Sequence, residues 1–557
     1  MSARRRITPL AGAMLLLGLA GPAFSADNRP VKPADVARVA AIIDRHIDKR
    51  LKDNAVTPAP IASDAEFLRR TYLSITGRVP RVAEAHEFLN DRSPDKRQKL
   101  VKELLETPGY ITHYSTFWRG VLMPEVSADL QTRFLVPGFE AWLRDELRKG
   151  TAYDDMVKQI LTTKIDSGRN MRNIYARLGE ANPVAFFQAK QAQPENLAAA
   201  VSRMFLGVRI ECAQCHDHPS DTWKREQFWS FAAFFAGIQR RGTNVFASVR
   251  EIPDRREIAI PDTDQVAQAK FLDGKTPQFR FRKPARETLA EWITAKDNPY
   301  FAKMAVNRIW HKLFGVGIVE PVDDFTSLNP PSHPELLNEL ANEFKKHNYD
   351  LKFLVRAIAA SKAYQRTSRQ THASQSNPQL FARMTVQALT PEQLFDSLAT
   401  AVGYYQPFQT QNPFVFGRND SRSEILELFA NDSESPAERT ATILQALAMM
   451  NGRFITEATS VGGSSGRSTP TSRRPRRFGP NGRGSNTLAA LLDFPLADTK
   501  QRVETLFLAT LSRKPTPDES ARFVKYVESG GPKQDKDKAL ADVFWALLNS
   551  GEFALNH

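Results

Sequence analysis

Apolar residues recur every three to four positions along most of this 557-residue chain, a spacing that gives an α-helix one apolar face and gives a β-strand none. Val36, Val39, Ile42, Ile43 and Ile47, with His46 beside them, form such a stripe over residues 34–51. Phe67, Leu68, Tyr72 and Ile75 form another over 66–75. The same spacing runs through 96–105, 139–147, 154–161, 195–205 and 226–235, which predicts one helical unit over 33–240. Between 243 and 283 the pattern changes to short β-tolerant pieces, 244–249 and 256–260, punctuated by Pro253 and Pro261. Helical spacing then resumes at 286–293 and continues through 301–314, 334–344 and 351–361. Thr390-Pro391-Glu392-Gln393 has the cap residue, first-turn proline and capping-box glutamine of a helix start. Helical segments at 438–450, 500–511, 517–527 and 538–549 complete the chain. The expected fold class is therefore mainly α: two helical domains, 33–240 and 284–557, with a small β-containing insert at 241–283.

Composition fits that division. With 41% hydrophobic and 25% charged residues the chain is ordinary globular material, and it is too long for a single core. Its N-terminus reads as a secretory signal peptide over 1–25: Arg4, Arg5 and Arg6, an apolar run over 10–20, then Gly21-Pro22-Ala23-Phe24-Ser25 ahead of Ala26. That run is shorter than the ~20 residues needed to span a bilayer, so the expectation is cleavage after Ser25, a periplasmic or secreted protein, and no transmembrane segment afterwards.

The net charge is +14, and removal of the three leader arginines leaves +11. Arg467, Arg473, Arg474, Arg476, Arg477 and Arg483 lie in the Gly/Ser/Arg/Pro segment 461–486, which holds no acid. Such a segment cannot bury enough apolar surface to order itself, and a solvated loop is expected there. The rest of the mature chain is only mildly basic. A groove for nucleic acid is therefore not expected.

The chain has two cysteines, Cys212 and Cys215, within Glu211-Cys212-Ala213-Gln214-Cys215-His216-Asp217-His218-Pro219. Three chemistries fit. Two thiols spaced by two residues can add to the vinyl groups of haem c while His216 ligates the iron. His218 is two residues away and cannot reach the opposite face of the same porphyrin, which leaves Met204, Met304 and His311 as distal candidates. Alternatively Cys212, Cys215 and His216 or His218 can hold zinc, with a remote fourth ligand from His86, His113, His311 or His333. Thirdly, the thiols can close into a tight disulfide, with no cofactor. The haem reading leads. It implies electron transfer or redox sensing with a redox partner protein in the envelope. The alternative is a non-redox structural or interaction protein with a zinc or disulfide clasp. Phe228, Phe231 and Phe235 follow at helical spacing, so each ring reads as core rather than as a porphyrin wall.

Several stretches carry a resemblance. They are Phe67-Leu68-Arg69-Arg70-Thr71-Tyr72-Leu73-Ser74-Ile75-Thr76-Gly77-Arg78-Val79-Pro80, the Phe205-Leu206-Gly207 approach to the cysteines, Asn298-Pro299-Tyr300-Phe301-Ala302, Gly317-Ile318-Val319-Glu320-Pro321-Val322-Asp323-Asp324-Phe325, and Trp545-Ala546-Leu547-Leu548-Asn549-Ser550. In these the chain resembles a planctomycete and verrucomicrobial family of exported proteins that join a PSCyt-two domain to a PSD-one domain, domains of unknown function 1549 and 1553. The resemblance implies a cytochrome-like role and covers most of the mature chain. Two departures stand out: no separate cytochrome module precedes the first helical unit, and Ser220 stands where relatives often carry an aromatic after the His-Pro pair. The polar group Asn307, Arg308, Asp323, Asp324, Asn329, Ser332 and His333 could suggest a hydrolase. Adjacent acids alone do not separate their pKa values, however, and Ser332-His333-Pro334-Glu335 reads as a helix start.

Overall fold

A computed structural model of the chain describes residues 32–127, 129, 131–165, 179–219, 221–242, 247–404, 421–429, 443–461 and 487–557. Residues 1–25, where a signal peptide is expected, and nearly all of the arginine-rich segment lie outside these residues. Helices dominate, as the periodicity requires. The first stripe folds as Pro33–Asp53, the second as Asp64–Thr76, and the segment 301–314 folds as Phe301–Phe314. Thr390 caps the Pro391–Val402 helix, its side chain accepting from the Gln393 N–H while Gln393 answers at the Thr390 N–H. Helices Val82–Asn90 and Pro108–Leu122 also form, outside the segments whose apolar spacing predicts a helix. The second of these hides its signal behind polar and aromatic residues that turn out to be core: Tyr110, Tyr114 and Trp118 are all buried. No helix among the described residues is long and apolar enough to cross a membrane.

The insert holds two antiparallel hairpins, β1 (Ile238–Arg241) with β2 (Ser248–Glu251), and β3 (Glu257–Ala259) with β4 (Val266–Gln268). Its first strand begins before the expected boundary, because Ile238 still packs in the core that the preceding aromatics build.

The core does not divide at the insert. One apolar cluster runs from Val36 to Met384 and takes in Leu508, so the helices Ala285–Ile293, Phe301–Phe314 and Pro334–Lys346 pack with the N-terminal helices. A second cluster gathers Leu389 to Phe553 and takes Leu73 and Val79 from the N-terminal unit. The Asp64–Thr76 helix therefore serves both cores.

Its two arginines explain how. Arg69 is fully buried, and its guanidinium donates to the carbonyl oxygens of Thr510 (2.8 Å), Phe553 (2.7 Å), Glu552 (3.2 Å) and Leu555 (3.3 Å). Arg70 is equally buried and donates to the carbonyls of Tyr364 (2.6 Å) and Arg366 (2.9 Å) and to Glu66 (2.7 Å). Burial lowers Arg69 to about 10, with Glu552 opposing the shift, and the group stays charged at neutral pH. A planar fork of donors is the only side chain that can satisfy several carbonyls converging on one point. Arg69→Met is therefore expected to lower stability by roughly 3 kcal/mol or more, read as a fall in the urea midpoint, because it leaves buried carbonyls unsatisfied. Arg69→Lys should recover little of the loss.

Candidate functional site

The helix Pro194–Val201 continues through a wider π-helical turn, Ser202–Leu206, and ends at Gly207 with φ +69°. π-Turns are uncommon and tend to sit at functional sites. Gly207 is required here on two counts. Its backbone lies in the left-handed region, and a Cβ would meet the Phe325 ring and, at 2.9 Å, the Met304 sulfur. The Phe325 N–H donates back to the Gly207 carbonyl at 2.8 Å. The approach to the cysteines is thus clamped by the loop that follows Phe301–Phe314.

Charge reinforces the clamp. Asp323 is buried and accepts from Arg209 (2.6 Å) and Arg203 (2.9 Å), with Arg308 at 3.8 Å. Burial opposes its ionisation, yet Arg308, Arg203 and Arg209 together hold its carboxyl below the ordinary value.

From Gly207 the chain enters the short 3-10 turn Glu211–Gln214. Ala213 alone points inward and is buried, while Cys212, Cys215 and His216 face solvent. Both thiols are free, so the disulfide alternative is not what this structure holds. The His216 Nδ1 lies 2.7 Å from the Asp217 carbonyl oxygen. A carbonyl only accepts, so that bond places the imidazole proton on Nδ1 and leaves the Nε2 lone pair available to a metal. The turn is braced from behind by the helix Arg225–Ala232. Trp229 Nε1 donates to the Gln214 carbonyl (3.0 Å), and the Asp217 carboxylate accepts from the Arg225 N–H (3.0 Å) and the Lys224 ammonium (2.9 Å). These two contacts, the backbone N–H foremost, hold the Asp217 carboxyl below its ordinary value. The His218 N–H donates to the Trp223 carbonyl (2.8 Å), and Arg225 reaches the Pro261 carbonyl (2.6 Å), which ties the β insert to the turn.

This donor set fits haem attachment chemically: two reduced thiols on one turn and an imidazole whose tautomer is fixed. The rings after the motif belong to the core. Phe228, Trp229, Phe231, Phe234 and Phe235 are all buried in the core, as their spacing implied. Among the described residues, none of the remote histidines proposed from sequence joins the cysteines in a metal-holding group. His311 binds Glu320 (2.8 Å), His113 binds the Lys312 ammonium (2.8 Å), and Met304 is buried against Gly207. Met204 is buried in the π-turn, His86 lies on Val82–Asn90, and His333 sits at the start of the Pro334–Lys346 helix. Among the described residues no three histidine, cysteine or acidic side chains converge to hold a metal ion.

The other polar group is structural. Asn307 accepts from the Ile318 and Val319 N–H groups and donates to the Val319 and Val322 carbonyls, pinning the loop ahead of Asp323. Asn329 binds Asp324 at 2.9 Å. Ser332 donates to the Ile318 carbonyl (3.1 Å), so the helix-cap position falls one residue later, on His333. Sequence reading missed the Asp323–arginine cluster as a link to the cysteine approach. The only sequence signal for it is the pair Arg203 and Arg209 flanking Gly207, because the contact joins residues more than one hundred positions apart.

Two family models match the chain. PSCyt2, a protein of unknown function (DUF1549), matches residues 42–240, and PSD1, a protein of unknown function (DUF1553), matches residues 285–527. The chain belongs to the family that joins these two domains. No curated protein and no solved structure matches it. The cysteine turn lies in the PSCyt2 domain, and the Asp323 loop that clamps its approach lies in PSD1.

Two outcomes test this geometry. Gly207→Ala should lower stability by roughly 2 kcal/mol, seen as a reduced melting temperature, since it combines left-handed strain with overpacking. Gly120→Ala, whose Cβ meets nothing within 4 Å inside a helix, should not. The second concerns His333, which is buried with no partner at Nε2 and is lowered to about 4 by burial first, then by Arg50 and His46. An unfolded histidine titrates near 6.5, so between pH 6.5 and 4 the unfolded chain takes up a proton that the native chain does not. Stability should fall by about 3 kcal/mol across that window on account of this group. Urea titrations of His333→Gln should show a correspondingly flatter acid side.

Proposed function

We propose that this chain acts in the cell envelope as a cytochrome-like electron carrier or redox sensor, attached to haem c through Cys212 and Cys215 with His216 as iron ligand. The observation that carries the reading is the turn itself. Two unbridged thiols face solvent three positions apart, and the adjoining imidazole is held by the Asp217 carbonyl so that its other nitrogen is left to coordinate. Attachment needs no oxidant: each S–H adds across a vinyl group, a carbon–sulfur bond forms, and the hydrogen goes to the neighbouring carbon. A haem so held supplies one-electron transfer. The chain's own contribution is to present both free thiols on the surface, to fix the histidine tautomer, and to hold the turn against the Arg225–Ala232 helix. The basic, apolar and small-residue sequence of the first 25 residues supports export to a compartment where such attachment occurs. A redox partner protein would meet the exposed face of the turn.

A second reading has one observation in its favour. The aromatic side chains nearest in sequence are buried in the core rather than set beside the turn for a macrocycle, and a small ion such as zinc needs no such wall, although it would have to draw its ligands together on binding. A non-redox structural or interaction role would follow.

The test is to export the full chain to the periplasm of a host that matures c-type cytochromes. Haem retained on a denaturing gel, a pyridine haemochrome spectrum and a mass increase of one haem are expected, with retention lost in Cys212→Ser, Cys215→Ser and the double variant. Colourless protein of unmodified mass, with both thiols open to alkylation, would overturn the haem reading. Stoichiometric zinc in that protein would establish the second.

A further inference from the structure

A cleft of about 170 Å³ opens between the start of the Phe301–Phe314 helix and the second half of the Pro334–Lys346 helix, far along the chain from the cysteine turn. Its polar lining is Asp297, Asn298, Lys303, Asn338, Asn342 and Lys345. Asn338, Asn342 and Lys345 fall on one face of their helix by spacing, and Lys303 comes from the opposite wall. The volume holds several waters, and so an ion of similar bulk.

The charge arrangement in this cleft is one-sided. Lys346, next to Lys345, pairs with Glu343 at 2.9 Å. Among the described residues neither Lys303 nor Lys345 has an acid within ion-pair distance, although Asp297 lies at the exposed lip of the same cleft. Lys303 also stands in the first turn of its helix, where the macrodipole disfavours a cation. Burial, and then the Lys345 charge, lower its ammonium. Two cations thus share a concave site whose one carboxylate, Asp297, forms an ion pair with neither. Asn298 is occupied in shaping that site: its Oδ1 accepts from the Tyr300 and Phe301 N–H groups, and its amide donates to the Trp292 carbonyl. Asn338 and Asn342 are exposed, and their amides are available to a ligand.

We propose that this cleft binds a tetrahedral oxyanion, phosphate or sulfate, either free or as a monoester on a larger molecule. Lys303 and Lys345 meet its charge from two walls, and the Asn338 and Asn342 amides meet its remaining oxygens. Donors on opposite sides suit a tetrahedral group better than a planar carboxylate, which offers only two oxygens. The site is independent of whether the cysteine turn carries haem.

Calorimetric titration of the full mature chain with sodium phosphate, sodium sulfate and phenyl phosphate, at constant ionic strength in chloride, tests this. Saturable one-site binding is expected for at least one of the three. Lys303→Gln and Lys345→Gln should each weaken it roughly tenfold, as loss of one charged contact implies, while Lys303→Arg retains most of it. Tighter binding of phenyl phosphate than of phosphate would assign the site to a monoester, and the reverse to the free ion. Absence of saturable binding for all three, or unchanged affinity in both glutamine variants, would overturn the proposal. Should a variant fail to fold, amine labelling of the wild-type chain decides instead. Phosphate or sulfate should protect Lys303 and Lys345 from acylation, and equal labelling with and without the anion would count against the site.

Discussion

The fold depends on one buried guanidinium. Arg69 sits on a helix near the N-terminus and collects carbonyl oxygens from Thr510 and from the chain's last turn at 552–555. No apolar contact could replace it, because the Thr510 carbonyl belongs to the last turn of the Thr499–Leu511 helix, where no backbone donor follows, and a buried acceptor without a donor costs about 1–3 kcal/mol. Arg70, one position on, does the same for Tyr364 and Arg366. Adjacent residues on a helix point about 100° apart, so the pair can serve two different segments from one turn. This is how a short helix belongs to two cores at once, with Leu73 entering the second while Phe67 and Leu68 stay in the first.

The two domains recognised by sequence and the two cores seen in the structure are therefore different divisions of the same chain. The family boundaries fall at 240 and 285, where the β insert lies. Packing ignores that boundary. Tyr153 of the PSCyt2 domain stacks on Phe301 of PSD1 with ring centroids 5.3 Å apart, and Arg286 reaches across to the Leu161 and Thr163 carbonyls. A PSCyt2 domain cut free at 240 would expose this face and leave the Gly207 clamp without Phe325. The pairing of the two domains in one chain is thus a physical requirement of the cysteine turn's present shape.

Much of the local structure was legible because helices announce themselves by spacing. Pro33–Asp53, Phe301–Phe314 and the Thr390 capping box follow directly from residue pattern. Pro108–Leu122 did not, since its buried face is built from tyrosines and a tryptophan whose polar tips blur the periodicity. At the candidate site, the spacing of Cys212, Cys215 and His216 was visible at once, and so was the core role of Phe228, Phe231 and Phe235. What pattern could not supply was long-range contact. The arginines at 203 and 209 look like surface charge until Asp323 is brought to them, and His311 looks like an open ligand until Glu320 occupies it.

The cysteine turn itself follows from which of its atoms are already engaged. The Gln214 carbonyl, the Asp217 carboxylate and carbonyl and the His218 N–H are all bound, and each bond ties the backbone to a neighbour. The two sulfurs face solvent unbridged, and His216 Nε2 is the ring atom its Asp217 bond leaves over. A turn evolved only for shape would bury its apolar sulfurs, since free cysteine is among the most buried of side chains. Here Ala213 is buried between two exposed cysteines. That inversion is what a rigid backbone presenting its thiols outward produces, and it is the feature of the turn on which the proposed haem attachment rests.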